Sequence, residues 1–159
     1  VVTVGVIDVG ERWNVVPDKG HIEGTVRCFS DYLWKGIPVM MERIVKDTAK
    51  ALRAEAEIKF VDLVPPTNNN AEMAAYAQNA AKKVFGEDAP TTLPPTMGGE
   101  DFAYFMQKAP GAVALLGVRN EACGATWAQH SAKYRVDEDA LMKGALLYTQ
   151  VAMDFNSQK

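Results

Sequence analysis

An α/β fold in two parts is predicted from three features of the chain. Residues 1–9 are a β-branched run, residues 21–30 alternate apolar with polar, and residues 38–54 and 71–85 repeat apolar side chains at helical spacing. The first 66 residues thus read strand, strand, helix, strand. That order is three quarters of a split βαβ sandwich, short of one strand and one helix at its front.

Val1, Val2, Val4, Val6, Ile7 and Val9 suit a pleated ladder, and Gly5 marks a bulge or a close backbone approach. Residues 10–20 hold Gly10, Pro17 and Gly20, the composition of a connecting loop. In residues 21–30 Ile22, Gly24, Val26 and Cys28 share one face, and Glu23, Thr25, Arg27 and Phe29 the other, as in a half-exposed antiparallel strand. Met41, Ile44, Val45, Thr48 and Leu52 then recur every three or four residues. This predicts an amphipathic helix over 38–54 with Pro38 in its first turn, where a missing N–H costs little. Residues 57–64 are a third strand, closed by Pro65, Pro66 and a run of asparagines. The shift in composition there sets a boundary between a domain of residues 1–66 and one of residues 67–159.

The alanine-rich stretch 71–85 is a helix that stops at Gly86. Pro90, Pro94 and Pro95 make an extended approach to Gly98 and Gly99, and a helix starts near Glu100. Residues 111–117 are a short continuous apolar run, as in a strand buried on both faces. A long loop, 118–135, carries His130, and Asp137 or a neighbour caps a last helix running through Leu141, Ala145, Tyr148 and Ala152.

Hydrophobic residues are 48% of 159, enough to bury a core, and the net charge is only -3. Its 17 basic and 20 acidic residues are well mixed, which gives no electrostatic reason to expect nucleic acid or an anionic membrane as partner. Small molecules and protein surfaces remain. Cys28 and Cys123 form neither a disulfide framework nor a zinc ribbon, so reduced thiols in the cytoplasm are the plain expectation. No run approaches the roughly 18 apolar residues of a membrane span. The chain opens on a strand pattern without Met, as a piece of a larger architecture does.

Two stretches carry candidate chemistry. Gly98-Gly99-Glu100-Asp101-Phe102 is a glycine pair opening onto two carboxylates, which by itself is the start of a capped helix. His130 precedes a second acidic helix start, Asp137-Glu138-Asp139. A lone loop histidine is by itself more often solvated than a ligand.

Together these stretches resemble the C-terminal signature of the metal-dependent amidohydrolases and peptidases that include aminoacylase, hippurate hydrolase and the auxin-conjugate hydrolases. In that family a Gly-Gly-Glu-Asp-Phe loop lies beside a dinuclear metal centre. A histidine just before an (F/Y)-x-x-D-E-x-A-L segment is a metal ligand, and His130, Tyr134, Asp137, Glu138, Ala140 and Leu141 match that pattern. Asn14-Val15-Val16-Pro17 resembles the family's N-x-(I/V)-P loop and Gly24-Thr25-Val26-Arg27 its G-T-V-R strand.

The resemblance implies that residues 1–66 are most of a ferredoxin-like lid and dimerisation domain. Residues 67–159 would be the C-terminal α/β part of a zinc-exopeptidase-like catalytic domain. It implies that His130 ligates a divalent metal (zinc, manganese or nickel) and that Asn14 and Arg27 bind the substrate carboxylate. Gly98, Gly99, Glu100 and Asp101 form a near-site loop, with both carboxylates outside the coordination sphere. No catalytic residue is assigned within the chain. The general base, the remaining ligands and a lid histidine belong to family segments upstream of Val1, so this chain alone is expected to be inactive. The implied parent hydrolyses N-acyl or N-aroyl amino acids, or peptides, with metal-activated water. Its partners would be a second copy, an N-terminal fragment of the same enzyme, or both. The alternative is a non-enzymatic dimerisation or binding module derived from the family.

Overall fold

Val2–Val9 (β1) and Gly20–Val26 (β2) pair antiparallel in a computed structural model that describes residues 1–157. This hairpin is the whole sheet among the described residues. Its register runs from Val2 opposite Val26 to Val9 opposite Gly20, with a shift between Val4 and Val6 that makes Gly5 the extra residue of a bulge. Gly24 answers a close approach, since a Cβ there would lie 2.3 Å from the Thr3 carbonyl oxygen.

Helix α1, Asp31–Ala51, begins seven residues before Pro38, the start expected from periodicity. The capping signal decides: the Ser30 hydroxyl accepts the Leu33 amide at 3.4 Å, and Asp31 occupies the first turn. Pro38 therefore sits inside the helix, where it removes the i→i−4 bond to the Trp34 carbonyl. At the other end Arg53 turns to φ 59. Its amide reaches the Lys50 carbonyl at 3.1 Å, and that of Ala54 reaches Ala49 at 2.9 Å, a stop of the kind usually given to glycine. Trp34, Ile37, Met41, Val45 and Ala49 form a half-buried stripe, yet α1 packs against no other helix or strand among the described residues.

Residues 57–64 do not form the expected third strand. β-branched and aromatic composition states a preference that only a neighbouring ladder realises, and no free strand edge takes this segment up. It receives another stretch instead. The Tyr104 hydroxyl donates to the Leu63 carbonyl at 3.3 Å, and a Cβ on Gly99 would stand 3.1 Å from Val64 Cγ2.

The chain divides into two compact units, Val1–Thr67 with Thr96–Tyr104, and Asn68–Pro95 with the chain from Phe105 onward. In the second, α2 (Ala71–Phe85) is capped by Asn70, whose side chain accepts the Met73 amide at 3.1 Å, and it stops at Gly86, φ +100. A short turn of helix, α3, spans Phe102–Met106, and α4 spans Asp139–Asn156. Helices α2 and α4 pack together. Lys83 Nζ lies 2.7 Å from Asp154 Oδ1, Gln150 donates to the same oxygen at 2.8 Å, and the Tyr76 and Phe155 rings meet edge to face at 5.7 Å. Ala80 on α2 is fully buried.

Residues 111–117, expected as a strand buried on both faces, are also irregular, and Leu115 is 74% exposed. A side chain holds them where a strand was expected to. The Asn69 carboxamide donates to the Val113 carbonyl and accepts its amide, each at 2.9 Å, and the Asn70 amide donates to Gly111. Gly144 lets Leu116 approach α4, since a Cβ there would meet its side chain at 3.3 Å. No helix among the described residues is long and apolar enough to cross a membrane.

Candidate functional site

Arg27 follows directly on β2, and its backbone amide extends the ladder by donating to the Val1 carbonyl at 2.9 Å. Its Nη1 donates to the carbonyl of Met97, the residue that opens the glycine pair. A guanidinium has five N–H donors in a fixed fork, so this bond orients the group and leaves donors for a planar carboxylate. Two stretches read separately from the sequence, seventy residues apart, are thereby joined within one unit.

Downstream of the glycines the Glu100 carboxylate and the Asp101 backbone carbonyl hold the start of a helix. Glu100 Oε1 accepts the Phe102 amide at 3.1 Å and so caps α3, while the Asp101 carbonyl accepts the Tyr104 amide at 3.0 Å. Glu100 is thus a helix-capping carboxylate in this structure, the plainer of its two readings. Gly99 lies against Val64, which explains the absence of a side chain there.

Asn14 lies in the exposed turn between β1 and β2, where the Val15 amide reaches the Arg12 carbonyl at 3.3 Å. Arg27 stands past the other end of β2. At the rise of a strand the seven steps from Gly20 to Arg27 span about 20 Å.

His130 belongs to the second unit. Its φ is +67, a left-handed backbone that a residue with a Cβ rarely adopts, and its side chain is exposed. The surrounding loop is bonded to itself. The Ser131 amide donates to Ala128 at 3.2 Å, Ser131 Oγ accepts the Lys133 amide at 3.2 Å, and the Tyr134 amide donates to Ser131 at 3.0 Å. The Lys133 ammonium sits 4.8 Å from the centre of the Trp127 ring.

The base of this loop is a second set of bonds. Asn120 and Ala125 exchange backbone bonds at 3.0 and 2.9 Å, and the Asp137 amide donates to Val118 at 3.0 Å. Asn120 Nδ2 donates to Asp137 Oδ2 at 2.9 Å, while Asp137 Oδ1 accepts the Asp139 amide at 3.1 Å and so caps α4. The Asn120 amide first, then the Asp139 backbone amide, hold the Asp137 carboxyl below the usual range. Asp137 was legible as a cap. Asn120 was not, since its partner is seventeen residues away and no local pattern announces it.

A structural zinc takes four protein ligands and a catalytic one three. No group of three His, Cys, Asp or Glu side chains able to hold a metal occurs among the described residues. His130 offers a single imidazole, and these residues alone do not fit a metal centre. His21, the other histidine, pairs with Glu23 at 2.8 Å on the exposed hairpin. Open concavities of about 440 Å³ along Val9–Pro17 and about 400 Å³ at Asn68, Asn70 and Met106–Gly111 are lined by none of Asn14, Arg27 or His130.

Residues 2–154 match peptidase family M20/M25/M40. Thermostable carboxypeptidase 1 of Saccharolobus solfataricus is 33% identical over 99% of this chain and 40% of its own length. An IAA-amino acid hydrolase of Arabidopsis thaliana, ILR1-like 2, is 31% identical over 100% of this chain and 36% of its own. N-acetylcysteine deacetylase of Bacillus subtilis is 29% identical over 96% and 38%. The chain thus spans about two fifths of the length of the relatives it matches. The crystal structure of the Bacillus subtilis YXEP protein, described as a dinuclear metal binding peptidase from the M20 family, superimposes with a TM-score of 0.84. It is 29% identical, over 96% of this chain and 41% of that one. A structure from methicillin-resistant Staphylococcus aureus gives 0.83 at 26% identity over 98% of this chain. This chain's mixed α/β arrangement, a two-stranded sheet with helices among the described residues, superimposes on these structures.

Proposed function

We propose, because the chain belongs to the M20/M25/M40 peptidase family, that it is the C-terminal part of a metal-dependent amidohydrolase acting on N-acyl or N-aroyl amino acids or related peptides. Residues 1–66 are read as most of a ferredoxin-like lid and residues 67–159 as the end of the catalytic domain. His130 is read as one metal ligand, the others coming from polypeptide outside this chain. A divalent metal (zinc, manganese or nickel), held by His130 together with ligands from outside this chain, would supply a Lewis acid for a scissile carbonyl and for water.

This chain's own residues bind and position. Arg27, held at one N–H by the Met97 carbonyl, presents its remaining donors to the substrate's carboxylate. Gly98 and Gly99 let backbone approach the substrate without a side chain in the way, and Glu100 and Asp101 fix the turn that carries them. Asn14 is read as a second substrate-binding residue, reaching with Arg27 toward the substrate's carboxylate. The bond from Arg27 to Met97 supports this reading most directly, since it links the carboxylate-binding candidate to the near-site loop.

Apolar side chains of β1 stand well exposed, Ile7 at 69% and Val2 at 57%, and α1 packs against no other helix or strand among the described residues. These surfaces support covering by a second copy, by the family's N-terminal portion, or by both. Unpaired Cys28 and Cys123 are in keeping with a cytoplasmic location.

Hydrolysis of N-acetyl and N-benzoyl amino acids by the full-length protein, abolished by a chelator, tests the reading. Losing a charge-assisted bond of about 1.5–3 kcal/mol predicts that Arg27→Ala raises KM about 10- to 100-fold with little change in kcat. An amide lacking the carboxylate should show no such rise. Equal turnover of carboxylate-free amides, with no response to Arg27→Ala, would contradict it. The second reading, a non-enzymatic dimerisation or binding module, is favoured by the lack of a three-ligand group among the described residues. A metal-free, inactive full-length protein that still self-associates would support that module.

A further inference from the structure

The glycine pair lies in sequence within the second predicted domain, yet residues 96–104 group with Val1–Thr67 in the first compact unit. Three contacts fasten them there. Before the pair, the Met97 carbonyl accepts Arg27 Nη1, and at the pair Gly99 lies so close to Val64 that a Cβ would stand 3.1 Å from Cγ2. After it, the Tyr104 hydroxyl donates to the Leu63 carbonyl at 3.3 Å. Leu63 and Val64 end an irregular segment, and no backbone–backbone hydrogen bond reaches residues 55–64 among the described residues. Burial steadies both sides of the Tyr104 bond instead. Val64 is half-buried and Pro65 buried on one side, and Ala103, next to Tyr104, is 2% exposed on the other. Two glycines have no side chains with which to hold a loop, so the placement of Met97 depends on the fixed points around them.

We propose that Tyr104 is a positioning residue for Arg27: by pinning the far end of the glycine loop to Leu63, its hydroxyl sets the Met97 carbonyl where it holds one N–H of the guanidinium. The fork's remaining donors are thereby turned to one side, ready for a planar carboxylate. The inference rests on the reading of Arg27 as the carboxylate-binding group and adds what orients it. Tyr104 acts at a distance along the backbone, so its loss should cost less than the loss of Arg27. One neutral hydrogen bond corresponds to about 3- to 10-fold in affinity.

Tyr104→Phe removes the hydroxyl and keeps the ring, which makes the test specific. The substrate is whichever N-acetyl or N-benzoyl amino acid the full-length protein hydrolyses fastest, and its control is the same compound with the carboxylate replaced by a carboxamide. Melting temperature is read beside the kinetics. Tyr104→Phe is expected to raise KM for the carboxylate substrate about 3- to 10-fold at unchanged kcat and to leave KM for the carboxamide as in the wild type. Placed on Arg27→Ala, it should add less than about twofold, since the group it orients is gone. A Tyr104→Phe protein that melts earlier but keeps both KM values would overturn the proposal, leaving the bond a purely structural tie. Equal rises in KM on both compounds, or effects that multiply with those of Arg27→Ala, would overturn it too. Should Tyr104→Phe not fold, Val64→Ala, which withdraws the Cγ2 beside Gly99, is read in its place with the same outcomes. If Arg27→Ala leaves KM for the carboxylate substrate unchanged, or no such compound is hydrolysed, the carboxylate reading fails and this inference with it. If Arg27→Ala raises that KM and Tyr104→Phe does not, the carboxylate reading stands and the positioning role alone fails.

Discussion

The hairpin and α1 of the first unit are made almost wholly by neighbours in sequence, whereas α2, α4 and the His130 loop of the second are tied by side chains far apart in the chain. In the first, Ser30 caps α1, Lys46 and Glu42 pair one turn apart, and Arg53 ends the helix against its own carbonyls. In the second, Lys83 reaches Asp154, Asn69 reaches Val113 and Asn120 reaches Asp137. Elements built by local rules form without a covering surface and leave apolar faces open. The loop that carries His130 is tied at its base by bonds between residues far apart in the chain.

The largest effect expected of that contrast lies in the hairpin's one tight point. Gly24→Ala drives a Cβ into the Thr3 carbonyl oxygen and should cost on the order of 3 kcal/mol, with loss of protection in β1 and β2 by hydrogen exchange. Gly5→Ala, in the bulge with nothing within 4 Å, should stay within about 0.5 kcal/mol. Next come two alanines on helices. Ala80→Leu overpacks the fully buried position on α2 and should lower stability by about 2 kcal/mol in thermal unfolding. Ala51→Leu at the exposed end of α1 should cost under about 0.5 kcal/mol; similar costs at the two sites would break the comparison. Smaller and of opposite sign, Arg53→Gly relieves the left-handed stop of α1 and should stabilise by about 1 kcal/mol.

The smallest effect separates the units by pH. The Lys83 ammonium first, then the Gln150 amide, hold the Asp154 carboxyl below its usual value, and Asp137 is depressed as described above. A depressed carboxyl contributes stability above its unfolded pKa and loses it as pH falls through the folded one. Acid below about pH 4 should therefore loosen the second unit. Lys46 in α1 is raised, by its hydrogen bond to Glu42 first. Its contribution is complete below the unfolded lysine pKa and lost only as pH climbs through the still higher folded value. Backbone resonances followed by NMR across the range should show the second unit responding in acid and α1 only in strong alkali.

What was legible in the sequence follows the same division. The bulge at Gly5, the stop at Gly86 and the cap by Asp137 are consequences of single residue types and could be read directly. The start of α1 was misplaced because Pro38 offered a plausible first turn, while the Ser30 and Asp31 capping signal lay upstream of the periodicity. Residues 57–64 and 111–117 carry strand composition without a ladder neighbour, and composition alone does not supply one. The bond from Arg27 to Met97 and that from Asn120 to Asp137 join distant residues, so motif spacing named the first pair as separate stretches and left Asn120 unnoticed.

The chain's two histidines set the central claim against a control. His21 pairs with Glu23 on the hairpin, and His130 stands exposed at φ +67 in its loop. Elemental analysis of the purified full-length protein should find bound divalent metal that His21→Ala retains and His130→Ala loses in part or whole. Equal metal content in the two variants would contradict the assignment of His130 as a ligand.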